Sequence, residues 1–254
     1  MILDHPLVSQ SVFFPRPTDV EPSFSVDVGG ASVACYLAGP FPDAGTVLHF
    51  HGNGELASEY ATRHAERFVG RGVNVCFTEY RGYGLSSGVP KLVTMQGDGE
   101  KIVEALGIPP DRLVAFGRSL GSVYAIELAA RMPQIRGLVL ESAIANVLED
   151  WQLTDEIKQL GQTESALLRE VEMHFDLQQK LKNYRGHVLV LHTRNDQSLD
   201  RTHADRLFAW SGSGNKRLVV FPNGGHNTIF SANAPRYLSE LNEFFLRAGI
   251  AQLR

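Results

Sequence analysis

Ser119 lies in Gly117-Arg118-Ser119-Leu120-Gly121, a Gly-x-Ser-x-Gly pattern. This spacing suits a serine on a sharp strand-to-helix turn, its hydroxyl clear of the backbone, with glycines on either side so that strand and helix can approach closely. A serine hydroxyl is a weak nucleophile, so the chemistry also needs a general base and an acid that orients it. The pattern recurs at Gly84-Leu85-Ser86-Ser87-Gly88, and the flanks separate the two. Ser119 follows the apolar run Leu113-Val114-Ala115-Phe116 and precedes a stretch of small helix formers up to Ala130. Ser86 follows Arg81-Gly82-Tyr83 and precedes Val89-Pro90, so it reads as a turn residue and Ser119 as the nucleophile.

Nine histidines compete for the role of base. His226 stands in Asn223-Gly224-Gly225-His226-Asn227, a loop after an apolar run, which is where a base needs to be. His192, His49 and His51 fall at strand ends, and His64, His174 and His203 in helical patterns. His49-x-His51 has the look of a metal pair, but it lies in a buried run without a carboxylate cluster and reads as structural. For the acid, Asp196 follows a strand in Thr193-Arg194-Asn195-Asp196, with Glu141 and Asp200 as rivals at the same edge. Asp at such a place also serves as a turn or cap residue.

These residues need a scaffold, and 254 residues with 43% apolar side chains supply one. A chain of this length buries roughly 75% of its unfolded surface and needs no disulfide or metal staple. A formal charge of −4 argues against nucleic-acid binding, no apolar run reaches a membrane span, and no secretory signal is visible. Cys35 and Cys76 read as reduced thiols, and the chain as a soluble intracellular protein. Residues 1–23 read as an irregular arm, because four prolines interrupt them. Residues 24–28 and 32–37 flank Gly29-Gly30 as a hairpin. Strands are expected at 46–51, 73–79, 112–116, 136–141, 187–193 and 217–221. Helices are expected at 55–69, 92–106, 120–132, 202–210 and 234–248. Apolar strands alternating with helices predict a mostly parallel sheet covered on both faces, with the hairpin at one edge. Residues 143–184 depart from this rhythm: they show no strand pattern and carry eight acidic against four basic residues. They read as a helical insertion placed to cap a site.

The order Ser119, Asp196, His226 resembles the α/β-hydrolase fold, whose triad runs serine, acid, histidine along the chain. His51-Gly52-Asn53-Gly54-Glu55 resembles that family's His-Gly oxyanion loop, and residues 79–88 the loop after its next strand. The likeness runs from about residue 46 to the C-terminus. Glu79 departs from it, standing where close relatives more often have Asp. The resemblance implies one α/β-hydrolase domain over 1–254, with an eight-stranded sheet, an N-terminal arm (1–23) and a small helical cap (143–184). It further implies an oxyanion hole made from the backbone N–H groups of Leu120 and Asn53, and no metal or organic cofactor.

The function expected on this basis is hydrolysis of a small-molecule carboxylic ester or thioester through an acyl-serine, in the cytoplasm, with activity falling below about pH 6.5 as His226 protonates. A rival from another class is also present. Gly52-Asn53-Gly54-Glu55-Leu56-Ala57 satisfies the dinucleotide fingerprint, with Glu79 near the ribose-binding position. A catalytically silent scaffold is the remaining alternative.

Overall fold

The N-terminal segment contains a helix, α1 (Pro6–Val12), in the computed structural model, which describes residues 1–252. The expectation of an irregular arm fails here for a physical reason. Pro6 occupies the first helical position, where its missing N–H has no intrahelical partner to lose. The His5 ring caps the helix by accepting from the Leu7 N–H at 3.2 Å. Leu3, Val8, Val12 and Phe13 are buried, so the segment is packed on the body of the protein. Pro15, Pro17 and Pro22 follow the helix and precede β1 (Phe24–Asp27), which pairs antiparallel with β2 (Ser32–Ala38). Gly29 and Gly30 both take positive φ, +83° and +77°, as a two-residue mirror-image hairpin turn requires.

Strand β3 (Thr46–Phe50) leads to α2 (Ala57–Arg63) and α3 (Glu66–Val69). The single helix expected over 55–69 starts later and breaks at His64, which leaves helical geometry at φ −127°, ψ −2°. The Thr62 hydroxyl bonds back to the Ser58 carbonyl at 2.9 Å, an interaction that loosens a helix end. Next come β4 (Asn74–Thr78), a 3₁₀ turn at Thr94–Gly97 and α4 (Asp98–Leu106), then β5 (Leu113–Arg118), α5 (Gly121–Arg131) and β6 (Gly137–Glu141). Four helices follow without an intervening strand: α6 (Val147–Asp150), α7 (Thr154–Gln159), α8 (Glu164–Phe175) and α9 (Leu177–Asn183). The chain closes with β7 (His187–Thr193), α10 (Arg201–Trp210), β8 (Lys216–Phe221) and α11 (Ile229–Arg247). The last helix kinks at Asn233, just before Pro235, so the expected 234–248 is its portion after the kink.

The eight strands form one sheet in the order β1-β2-β4-β3-β5-β6-β7-β8, antiparallel through the hairpin and its contact with β4, parallel elsewhere. Every residue of β3, β5 and β6 is buried, which requires cover on both faces. One face packs on α4, α5 and α10 through residues such as Ile102, Val123 and Leu207, with α9 packed on α5 and α10 through Leu181. The other packs on α2, α3 and α11 through Ala57, Phe68, Tyr237, Leu241 and Phe245. After β3 the chain turns to β4 on one side, then returns to β5 on the other. Such a reversal opens a crevice at the carboxyl ends of the two central strands, where open α/β sheets bind ligands. Among the described residues no helix is long and apolar enough to cross a membrane.

Candidate active site

Ser119 follows the last residue of β5 with φ +49°, a left-handed conformation that a side chain rarely adopts. The turn is held by the Ser119 N–H donating to the Glu141 carbonyl at 3.0 Å and by the Ser122 hydroxyl donating to the Ser119 carbonyl at 2.6 Å. Its glycines are required sterically. A Cβ on Gly117 would lie 2.5 Å from Ser122 Cα, and one on Gly121 would overlap the Phe50 carbonyl oxygen. Ser86 sits elsewhere, as the sequence suggests: its hydroxyl accepts from the Ala34 N–H at 2.9 Å and fastens a loop to the hairpin.

The loops after β7 and β8 bring two further side chains to Ser119. His226 Nε2 is 2.9 Å from Ser119 Oγ, and its Nδ1 is 2.9 and 3.2 Å from the two oxygens of Asp196. The Asp196 side chain is inaccessible to solvent and also accepts from the Ser198 and Leu199 N–H groups at 3.0 and 2.9 Å. Burial alone would raise its pKa, but the bonds from His226 and Leu199 outweigh it and leave the carboxyl below its ordinary value. An ionised Asp196 accepts the Nδ1–H of His226, so the Nε2 lone pair faces the Ser119 hydroxyl. His192 stands 3.9 Å from Asp196 and is held to the Leu199 carbonyl at 3.1 Å. Burial lowers its pKa, which keeps it neutral.

The rival acids are engaged elsewhere. Glu141 pairs with Arg118 at 3.2 Å and accepts from the Tyr237 hydroxyl, while Asp200 caps α10 by accepting the Thr202 N–H at 2.7 Å. His49 is stacked on Phe116 with ring centroids 4.8 Å apart, in an aromatic cage with Tyr60 and Phe77. Burial drives its pKa well down, as suits a neutral core histidine. His51 lies 3.0 Å from Glu79, and both side chains are fully buried. That carboxylate is therefore committed to the loop after β3, which counts against its use as the acid of the dinucleotide fingerprint.

Two N–H groups are expected to form an oxyanion hole. Leu120 immediately follows Ser119, and Asn53 lies in the turn after β3. Among the described residues neither N–H donates to a protein acceptor. A cleft of about 380 Å³ lined by Asn195, Ser198, Gly224 and His226 opens beside the histidine. Another of about 170 Å³, lined by His187, Lys216 and Phe244, lies at the opposite ends of the strands and contains none of these groups.

Arg118 went unnoticed in the sequence, although a lone charge ending an otherwise apolar strand was the available signal. Its side chain is 7% exposed. It reaches Glu55 at 2.9 Å, Glu141 at 3.2 Å, the His226 carbonyl at 3.1 Å and the Asn227 side-chain oxygen at 2.8 Å. Burial opposes its charge, but Tyr60, Glu55 and Glu141 together more than offset that and raise its pKa. Glu55 in turn accepts the Gly52 N–H at 2.7 Å, so one guanidinium ties the loop after β3 to the histidine loop. Replacing Arg118 by Met strands two carboxylates and is expected to lower stability by about 3–5 kcal/mol in urea unfolding. A loss under about 1 kcal/mol would mean that water screens the network as it does at a surface.

Residues 42–174 match the family model described as serine aminopeptidase, S33. The uncharacterised protein YfhR of Escherichia coli K12 is 26% identical over 226 residues, spanning 83% of this chain and 73% of that protein. The alpha/beta hydrolase domain-containing protein aho-3 of Caenorhabditis elegans is 26% identical over 217 residues, 84% of this chain and 61% of that one. Among solved structures, the esterase Pf2001 of Pyrococcus furiosus matches with a TM-score of 0.72 at 17% identity, covering 92% of this chain and 96% of that chain. At that identity the likeness is one of fold.

Proposed function

Because the chain belongs to the α/β-hydrolase family whose model is described as serine aminopeptidase, S33, we propose that it cleaves a carboxylic ester or thioester through an acyl-serine. The observation that carries this reading is the relay from Asp196 through His226 to Ser119, with 2.9 Å at each link. His226 takes the Ser119 proton as Oγ attacks the acyl carbon, and Asp196 stabilises the imidazolium that results. The N–H groups of Leu120 and Asn53 receive the oxyanion. His226 then returns the proton to the leaving alcohol or thiol. Water, deprotonated by the same histidine, releases the acid and frees Ser119.

The four helices between β6 and β7 serve as the cap in this reading, over one domain whose first 23 residues form the arm. Asp150 supports it. This residue ends α6, and although desolvation raises its carboxyl pKa, the charge of His226 works against the rise, as for a group within electrostatic reach of the histidine. Ester, thioester and amide cleavage share this machinery and differ in the leaving group. An ester is favoured by the likeness in fold to the esterase Pf2001 of Pyrococcus furiosus, and a thioester follows from the shared chemistry. The free, buried thiols of Cys35 and Cys76 suit the cytoplasmic location proposed with it.

Intact-mass analysis after fluorophosphonate treatment tests the reading. A single adduct is expected on the wild type and on Ser86→Ala, and none on Ser119→Ala. No adduct on the wild type would overturn the serine-hydrolase reading in favour of a silent scaffold. Loss of the adduct only in Ser86→Ala would move the nucleophile.

A further inference from the structure

The loop expected to supply one oxyanion donor is a tight turn, with the Glu55 N–H bonded to the Gly52 carbonyl at 3.3 Å and Gly54 at φ +69°. An Asn-Gly pair at the centre of such a turn is a place where peptide planes flip easily, because glycine accepts either sign of φ. A flip of the Asn53–Gly54 plane would reorient the Asn53 carbonyl and unsettle the turn that presents the Asn53 N–H. What opposes it is the Asn53 side chain. Its oxygen accepts from the Phe14 N–H at 3.1 Å and from the Tyr83 hydroxyl at 2.8 Å, and its nitrogen donates to the Val12 carbonyl. The Phe14 N–H also reaches the Tyr83 oxygen at 2.9 Å, closing a triangle of hydrogen bonds. Tyr83 is fully buried, and burial pushes its pKa up, so its hydroxyl keeps the proton it donates.

We propose that residues 12–16 form a strap that clasps the Asn53 side chain and thereby fixes the backbone of the oxyanion loop. This rests on the reading of the Asn53 N–H as an oxyanion donor. Asn53, through its side chain, and Tyr83 are positioning residues. The strap is itself held beyond the clasp. Arg16 donates to the Gly54 carbonyl at 3.1 Å and to both oxygens of Glu59 at 3.1 and 2.8 Å, and its own carbonyl accepts from the Gly84 N–H at 2.9 Å. The loop is therefore gripped from two directions, by Glu55 and Arg118 on one side and by the strap on the other. Phe14 is 58% exposed beside this loop and lies 3.8 Å from where a Cβ on Gly54 would sit. The strap thus presents an apolar ring where it meets the oxyanion loop.

The test uses Asn53→Ala and Tyr83→Phe, with p-nitrophenyl acetate turnover and hydrogen exchange measured on each full-length variant. Neither substitution removes the Asn53 N–H. Asn53→Ala is expected to lower kcat about 10- to 100-fold with KM within about threefold, since misplacing a donor by an ångström costs on this scale. Peptides covering 12–16 and 52–55 should exchange faster in the same variant, while those from the central strands should not change. Tyr83→Phe keeps the ring and removes the bridge, so it should move both readouts the same way by a smaller factor. Asn53→Ala with kcat within twofold of wild type would overturn the proposal, as would a fall in kcat with unchanged exchange over both segments. A wild type inert to ester and fluorophosphonate alike would overturn the proposed function instead. The clasp then stands or falls on exchange alone, and unchanged protection in Asn53→Ala refutes it.

Discussion

Ser119→Ala is expected to lower kcat on an activated ester by ~10⁵- to 10⁶-fold, the scale on which serine hydrolases lose activity with their nucleophile. The substitution is clean because it removes one atom. Alanine keeps the Cβ that Ser119 already accommodates at φ +49°, and the glycine contacts that shape the turn do not change. The Ser119 N–H bond to Glu141 and the Ser122 bond to the Ser119 carbonyl both survive, so the elbow should persist. What remains is water attacking a substrate held against the two proposed oxyanion donors. His226→Ala should reach a similar floor, and the double variant should fall no lower, because the two residues act as a unit. Single-turnover kinetics on purified variants would show this. Ser119→Ala retaining more than about 1% of wild-type kcat would mean that a different group attacks.

Asp196→Asn is expected to cost ~10⁴-fold in kcat at neutral pH with little loss of structure. The cause is the direction of one hydrogen bond. Asp196 Oδ1 accepts from the Ser198 and Leu199 N–H groups, so an amide at this position would place its oxygen there and its NH₂ toward His226. His226 Nδ1 would then have to accept, its proton would move to Nε2, and Nε2 could no longer take the proton of Ser119. A loss of less than about tenfold would show that the amide flips and leaves the tautomer alone. The same substitution carries a pH signature in stability. The pKa of Asp196 is depressed in the fold, so its contribution is fully present above the unfolded carboxyl value of about 3.9 and is lost as pH falls through the lower folded value. The gap in urea midpoint between wild type and Asp196→Asn should thus be widest near neutrality and close in acid. A gap independent of pH would mean that ionisation of Asp196 does not stabilise the fold. Since the carboxylate stays charged from pH 5 to 8, it adds no inflection of its own to a rate profile there.

The parts of the site legible in the sequence are those whose chemistry is local. The choice of Ser119 over Ser86 needed only the flanking runs, which show a strand and a helix in one case and turn formers in the other. His226 was marked by its glycine-rich loop after the last strand. The acid could not be settled that way, because Glu141, Asp196 and Asp200 all follow strands. The decision rests on partners far along the chain: Arg118 and Tyr237 occupy Glu141, and Asp200 faces its own helix. Arg118 was hidden because its purpose is set by the loop after β3, the end of β6 and the loop after β8, which converge only in space. The N-terminal segment was misread for the opposite reason, a local rule applied without position. Proline breaks a helix interior, but at Pro6 it begins one.

The N-terminal segment also sets an order of events. The Ile2 and Leu3 N–H groups are held by the Glu170 carboxylate, 168 and 167 positions away, and Ser11 bonds to Glu156 in α7. During synthesis residues 2–13 must therefore wait for later ones before they can dock, with Leu3, Val8, Val12 and Phe13 uncovered meanwhile. A nascent chain halted after β6 already holds Ser119 and the loop that Asn53 occupies, yet it lacks the helices that seat the beginning of the chain. It also lacks the histidine and its acid. A partly made molecule of this kind is an exposed apolar segment for a chaperone to hold, and the proposed triad is assembled only once the loops after β7 and β8 have been made.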